Sequence, residues 1–66
     1  MTPTQYINQI RLGQAVQMLM HTDVSVTDIA MEVGFENISY FIRLFARTYQ
    51  ETPLQFRKKH PIFHIG

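Results

Sequence analysis

The stretch from Ser25 to Arg47 constrains the fold of this chain more than any other, because one glycine separates two segments with helical periodicity. Before it, Ile29, Ala30 and Val33 recur at the spacing of one helical face. Gly34 suits the left-handed backbone conformation that commonly ends a helix. The stretch therefore predicts a short helix, a tight turn and a second helix.

Capping residues mark where both helices begin. Ser25 is a favourable N-cap, with Asp28 three residues later as a partner resembling that of a capping box. Asn37 is a favourable N-cap for the second helix, which is predicted to run towards Tyr49. This order of elements is typical of a helix-turn-helix unit.

The second helix has two different faces at 100° per residue. The apolar face is predicted to join the core and contains Phe41, Leu44, Phe45 and Thr48, with Ile38 and Tyr49 at its edge. The opposite face is polar and contains Ser39, Tyr40, Arg43, Arg47 and Gln50. A helix that lies in a DNA major groove has such a polar face, because its side chains reach base edges and phosphates. The alternative is that the two arginines form the solvated face of an ordinary helix.

The distribution of charge favours DNA more than the net charge of +1 does. Residues 1–36 carry one basic and four acidic side chains, which gives −3. Residues 37–66 carry five basic side chains and one acidic side chain, which gives +4. The positive potential thus begins where the second helix begins.

Composition limits the remaining classes of function. Sixty-six residues form one small domain at most, and the absence of cysteine suits a reducing compartment, so we predict a cytoplasmic location. No apolar run approaches the roughly 18 residues that a membrane span requires. No nucleophile–base arrangement or phosphate loop is recognisable, so we predict neither catalysis nor a cofactor. His60 and His64 are separated by Pro61, and exposed histidines are the preferred interpretation over a zinc site with His21.

The first helix is predicted to start at Thr2, Pro3 and Gln5, which have capping-box spacing, and to end near Met20. Its apolar residues form two opposite stripes: Tyr6, Ile7 and Ile10 on one side, and Leu12, Ala15, Val16 and Leu19 on the other. A helix that is apolar on two faces is normally buried on both, so we predict a connector between two bodies. Gly13 in its middle is interpreted as a site of close packing.

The end of the chain repeats its beginning. Residues 52–56 match residues 2–6 in four of five positions when Phe and Tyr are counted as equal. A capped helix is therefore predicted from Pro53 to about Lys59, with Phe56 inward and Arg57, Lys58 and Lys59 outward. Such a repeat indicates a second helix-turn-helix unit upstream of Thr2, with coincidence as the alternative.

These motifs together resemble the C-terminal DNA-binding region of the AraC/XylS family of bacterial transcription regulators. The resemblance covers the chain up to Lys59 and rests on residues 25–35, 39–45 and 52–57, in order and at the right distances. It implies an all-α, homeodomain-like bundle of about four helices with a long N-terminal linker helix. The implied domains are a linker helix at 1–22, the second helix-turn-helix unit with its closing helix at 23–60, and a tail at 61–66. A first unit and an effector domain would lie outside this chain.

The resemblance also implies which residues contact double-stranded DNA. Ordered by role, they are Asn37, Ile38, Ser39 and Arg43 towards bases, Tyr40 and Arg47 near bases or backbone, and Thr27 at a phosphate. For Ile38 the alternative is a residue at the edge of the core. Asp28 and Glu32 should face away from DNA, with Arg11 as a candidate partner for one of them. Gln50 stands where the family often has Gly, which implies a strained backbone or a longer helix.

The function implied is sequence-specific DNA binding by part of a bacterial transcription regulator. The alternative is a helical protein-interaction or dimerisation module that does not read DNA. Steep weakening by salt distinguishes DNA binding from apolar docking. We also predict self-association through Tyr6, Ile7 and Ile10 if that face stays uncovered.

Overall fold

The computed structural model describes residues 1–60, and this part of the chain consists of helices joined by short connections, without a strand. The helices are α1 at Pro3–His21, α2 at Val26–Glu32, α3 at Ile38–Tyr49 and α4 at Pro53–Lys59. The predicted all-α helix-turn-helix class is confirmed. The predicted tail at 61–66 lies outside the described residues.

Two reciprocal capping boxes start α1 and α4. The Thr2 hydroxyl accepts from the Gln5 backbone N–H at 3.1 Å, and the Gln5 side-chain oxygen accepts from the Thr2 N–H at 3.0 Å. Thr52 and Gln55 repeat both bonds at 3.2 Å and 2.9 Å. Each box satisfies two of the backbone donors that the first turn of a helix leaves unpaired.

The caps of α2 and α3 use one side chain each. Ser25 Oγ accepts from the Asp28 N–H at 3.2 Å, and Asn37 Oδ1 accepts from the Tyr40 N–H at 2.9 Å. Both residues are the N-caps that the sequence predicted. The starting point of α3, and hence the direction in which its outer face points, is fixed by Asn37.

Two left-handed residues end α2 and α3. Gly34 has φ +107°, and the chain folds back so that the Phe35 N–H donates to the Ala30 carbonyl at 2.8 Å. Gln50 has φ 66°, which confirms the strained option of the two predicted for it. Its N–H donates to the Ala46 carbonyl at 2.8 Å, and its side-chain amide donates to the Arg47 carbonyl at 3.0 Å. These bonds pair helix-end carbonyls and offset part of the cost of placing a residue with a Cβ there.

The core lies between α1 and the helix-turn-helix unit, since α1 packs against α2 and α4 while α3 packs against the same two helices. Its buried residues come from α1, from α2 and the turn after it, and from α3: Leu12, Ala15, Leu19, Ile29, Ala30, Val33, Phe35, Phe41 and Phe45. Tyr49 packs at the edge of this cluster, and its partial burial raises the pKa of its hydroxyl above the ordinary value. The back half of α1 thus packs as predicted, with Leu12, Ala15 and Leu19 inward.

Arg57 corrects one prediction, because it does not point outward. Its Nε donates to the Leu19 carbonyl at 3.2 Å, and its Nη2 donates to the Thr22 carbonyl at 3.1 Å. The last carbonyls of a helix lack partners within it, and a guanidinium can pair two of them at once. Arg57 therefore ties α4 to the C-terminal end of α1.

Arg11 corrects a second prediction. Within residues 1–60 it forms no ion pair with Asp28 or Glu32. Its guanidinium carbon lies 5.9 Å from the centre of the Phe35 ring, and its Nε lies 2.9 Å from where a Cβ on Gly34 would be. The side chain thus covers the turn through a cation–π contact instead of pairing with a carboxylate.

Two smaller predictions are also wrong. A Cβ added to Gly13 would meet nothing within 4 Å, so that glycine does not mark close packing. Thr48 is exposed, and its hydroxyl donates to the Leu44 carbonyl at 2.8 Å instead of joining the core. Helical spacing placed Thr48 beside Leu44, but the front half of α1 leaves this flank of α3 open.

Candidate nucleic-acid interface

The outer face of α3 carries unpaired positive charge. Ser39, Arg43 and Arg47 are exposed on it. Within residues 1–60 the salt bridge found joins His60 to Glu51 at 3.9 Å, so neither arginine of α3 is neutralised by a carboxylate there. Two free guanidiniums about one helical turn apart form a surface suited to base edges and phosphates.

Tyr40 is fixed at both ends on the same face. Its ring lies 6.2 Å from that of Phe35, tilted by 55°, and its hydroxyl accepts a hydrogen bond from Asn8 Nδ2 at 3.2 Å. The side chain is still 41% exposed. The side chain of Tyr40 is therefore fixed in position and still accessible to a ligand beside the two arginines.

The remaining predicted contact residues differ from one another in their exposure and in the helix to which they belong. Asn37 is exposed, and its Oδ1 serves as the cap of α3, so its amino group is the part left to donate. Ile38 is half-buried against the core cluster. Thr27 is exposed but lies on α2 and not on α3. The structure thus brings six of the seven predicted residues together at Asn37–Arg47, and leaves Thr27 on a separate helix.

Two open depressions flank this face. The smaller one, about 210 Å³, is lined by Tyr40, Arg43, Leu44 and Arg47. The larger one, about 580 Å³, separates the N-terminal half of α1 from α3 and shares Tyr40, Leu44 and Arg47 with the smaller one. We call the larger one the α1–α3 groove. It makes α1 part of the surface beside the outer face of α3, which the sequence did not predict.

Asn8 is the residue of this surface that sequence reasoning missed. It lies on α1, 32 positions from Tyr40, and donates to that hydroxyl across the groove. The sequence does carry a signal for such a surface, because residues 4–9 are rich in Asn and Gln and contain no acidic side chain.

Other site types find no support in the described part of the chain. Residues 1–60 contain no group of three or more His, Cys, Asp or Glu side chains that could hold a metal ion. His64, one of the histidines considered for zinc, lies outside those residues. Within the same range no helix combines the length and apolar character needed to cross a membrane.

A short helix, a glycine turn and a second helix with a free basic face define a DNA-binding helix-turn-helix domain. The profile of the family described as "Helix-turn-helix domain" matches residues 1–59, and the chain belongs to this family, in its AraC-type form. The resemblance seen in the sequence is thereby confirmed.

Relatives and a solved structure agree with this assignment. The chain is 43% identical over 58 residues to the HTH-type transcriptional activator RhaS of Enterobacter sp. (strain 638), covering 88% of this chain and 21% of that protein. It is 34% identical over 59 residues to Histidine kinase P4 of Formosa agariphila, covering 89% of this chain and 4% of that protein. The crystal structure of the C-terminal domain of the two-component response regulator yesN from Fusobacterium nucleatum superposes with a TM-score of 0.82 at 38% identity, covering 86% of this chain and 55% of that one.

The chain spans about a fifth of the length of the RhaS relatives it matches. DNA binding by an AraC-type helix-turn-helix domain is thus the function that family and fold define. The matching region thus occurs both in a transcriptional activator and in a histidine kinase.

Proposed function

We propose that α3 lies in the major groove of duplex DNA and reads sequence through its outer face. The observation that carries this proposal is the pair of exposed arginines, Arg43 and Arg47, that no carboxylate within residues 1–60 neutralises. Arg43 is assigned to a base, where a guanidinium makes two parallel hydrogen bonds to guanine. Arg47, nearer the C-terminal end of α3, is assigned to bases or backbone.

The N-terminal end of α3 supplies the other base contacts. The free amino group of Asn37 is suited to a base acceptor, and the Ser39 hydroxyl can donate or accept. The exposed part of Ile38 is suited to a thymine methyl group. Tyr40 is assigned to bases or backbone, and Thr27 to a phosphate near the start of α2.

The chain would be one part of a larger cytoplasmic regulator. Residues 1–22 would be the linker helix, residues 23–60 the second helix-turn-helix unit with its closing helix, and residues 61–66 a tail. A first helix-turn-helix unit and an effector domain would come from the rest of that protein. The length of the RhaS relatives supports this arrangement, since each is about five times as long as the matched region.

The 66-residue chain alone should bind DNA weakly and in a salt-dependent way. One recognition helix with a handful of phosphate contacts predicts a Kd of about 10⁻⁴–10⁻⁶ M at physiological salt, with affinity falling steeply as salt rises. Fluorescence anisotropy of a labelled duplex between about 50 and 200 mM salt measures this. The comparison is a variant carrying both Arg43→Ala and Arg47→Ala, which should bind more weakly and show a smaller salt dependence.

Two results would contradict the proposal. Binding that does not respond to salt would favour the alternative of an apolar docking module. Nanomolar, sequence-specific binding by this chain alone would show that a further reading unit is not needed.

We propose in addition that the uncovered face of α1 mediates self-association of this chain. Tyr6, Ile7 and Ile10 are 58%, 44% and 46% exposed, and they form an apolar stripe away from the core. Burying one such side chain fully is worth about 1.5–3 kcal/mol, so burial of two copies of the stripe would contribute to the free energy of association.

Sedimentation velocity across a concentration series should therefore show a dimer at high concentration. The combined substitution Ile7→Ser and Ile10→Ser should return the chain to a monomer. Leu54→Ser, at a residue 53% exposed on α4, is the matched control and should leave the dimer intact. A wild-type chain that stays monomeric at high concentration contradicts the proposal.

A further inference from the structure

We infer that the α1–α3 groove holds a phosphate of the DNA backbone, so that α1 contacts DNA through Asn8 and Gln5. This inference rests on the proposed function, because it presupposes α3 in the major groove. It extends that function to a helix that the sequence indicated only as a connector.

The groove has the size and charge that a phosphodiester requires. Its volume is about 580 Å³, and it is partly open to solvent. Gln5, Asn8 and Gln9 line it from α1, with Tyr40 and Arg47 from α3. Arg47 is the one charged side chain in the lining, and no Asp or Glu occurs there.

Hydrogen bonds within the protein leave several donors available at this groove. The Gln5 side-chain oxygen is already engaged with the Thr2 N–H, so its amino group is free to donate. The Tyr40 hydroxyl oxygen accepts from Asn8, so its own O–H is free to donate, as is the second N–H of Asn8. Together with the Arg47 guanidinium, these groups call for a partner that is anionic and accepts hydrogen bonds.

The position of the groove selects the DNA backbone as that partner. Tyr40 and Arg47 belong both to the groove and to the outer face of α3. A helix inserted in the major groove is flanked on each side by a phosphate strand, and the α1–α3 groove opens on one flank. Residues 1–22 contain no acidic side chain, so nothing on α1 repels that strand. Side-chain amides and tyrosine hydroxyls are common phosphate contacts in protein–DNA complexes.

A pair of charge-matched variants tests the inference. Asn8→Asp replaces a donor in the groove by a carboxylate, whereas Gln17→Glu adds the same charge at an exposed position on the opposite side of α1, about two and a half turns further along the helix. At about 50 mM salt, Asn8→Asp should weaken binding to any duplex about tenfold, and Gln17→Glu about twofold or less. Tyr40→Phe, which removes the O–H donor without adding charge, should weaken binding about threefold on duplexes of unrelated sequence.

Nuclear magnetic resonance of the wild-type chain gives a second measurement that does not depend on any variant being folded. The side-chain amide signals of Asn8 and Gln5 should shift when duplex is added, and the signal of Gln17 should not. Inorganic phosphate at the same ionic strength should leave all three in place.

The outcomes separate this inference from the function beneath it. If Asn8→Asp and Gln17→Glu bind with equal affinity to a duplex that the wild-type chain binds, only the inferred contact between α1 and DNA is overturned. The proposed function of α3 is then unaffected. Equal shifts with inorganic phosphate would make the groove a general anion site and would also overturn it. A wild-type chain that binds no duplex would overturn the proposed function and this inference together.

Discussion

Replacing Phe45 with alanine should lower the free energy of unfolding of this chain by about 3–5 kcal/mol. Phe45 is fully buried, and truncating a buried phenylalanine typically costs about 3–5 kcal/mol. A chain of this length has a free energy of unfolding of roughly 3–10 kcal/mol at typical values per residue. The substitution therefore removes about half of the stability at the upper end of that range and all of it at the lower end.

The effect is large because the ring of Phe45 packs against three other aromatic rings. Its ring centre lies 5.9 Å from that of Phe41, 4.6 Å from that of Tyr49 and 5.6 Å from that of Phe56, the last in an edge-to-face arrangement. Phe56 lies on α4, so the same side chain holds the closing helix against α3. An alanine would leave a cavity bordered by rings that cannot collapse onto it without moving a helix.

Urea denaturation followed by circular dichroism measures this expectation. Leu54→Ala is the matched control, because Leu54 is exposed on α4 and its truncation should change the free energy of unfolding by no more than about 0.5 kcal/mol. A Phe45→Ala chain with a cooperative transition near the wild-type midpoint would contradict the importance assigned to this residue.

Local chemistry made most of the fold predictable. The capping boxes at Thr2 and Thr52 and the left-handed glycine at Gly34 are decided within four or five consecutive residues, and all appear as expected. The core face of α3 followed from helical spacing at Phe41 and Phe45. Gln50 is the informative case, because its strained conformation is one of the two options implied by the family pattern and is not the one that its own preference favours.

Long side chains that cross between helices were not predictable in the same way. Arg57 was assigned to solvent because it lies on a charged run, yet it caps α1, whose end lies 35 to 38 positions earlier in the chain. Arg11 was assigned to a carboxylate and covers Phe35 instead. Several partners satisfy a guanidinium about equally well, so its choice depends on the packing of whole helices.

The same distinction between contacts within one helix and contacts between helices applies to the candidate site. Sequence pattern placed Arg43, Arg47 and Tyr40 on one face of α3, and the structure brings them together there. The pattern could not show that Asn8 reaches Tyr40, because that contact depends on how the front half of α1 passes α3. The sequence therefore indicated the polar face of α3 but not the groove beside it.

Arg43→Ala and Arg47→Ala should affect DNA binding in two different ways. In the complete regulator, losing a base contact at Arg43 should cost about 1–3 kcal/mol on the cognate site and relax the preference at one base pair. If Arg47 holds a phosphate, its loss should weaken binding to every duplex and reduce the slope of log K against log salt by about one. The difference arises because phosphate contacts carry no sequence information, whereas a guanidinium on a base edge distinguishes guanine from the other bases.

Titrations on a cognate and a scrambled duplex at several salt concentrations separate these effects. Lys58→Ala is the charge-matched control, since Lys58 is an exposed cation on α4 and not on the outer face of α3. It should change both affinities only slightly. Unchanged affinity and unchanged base preference in both α3 variants would show that α3 does not read the major groove. The outer face of α3 would then be an ordinary solvated surface, and the domain would have to contact DNA through another part of its surface.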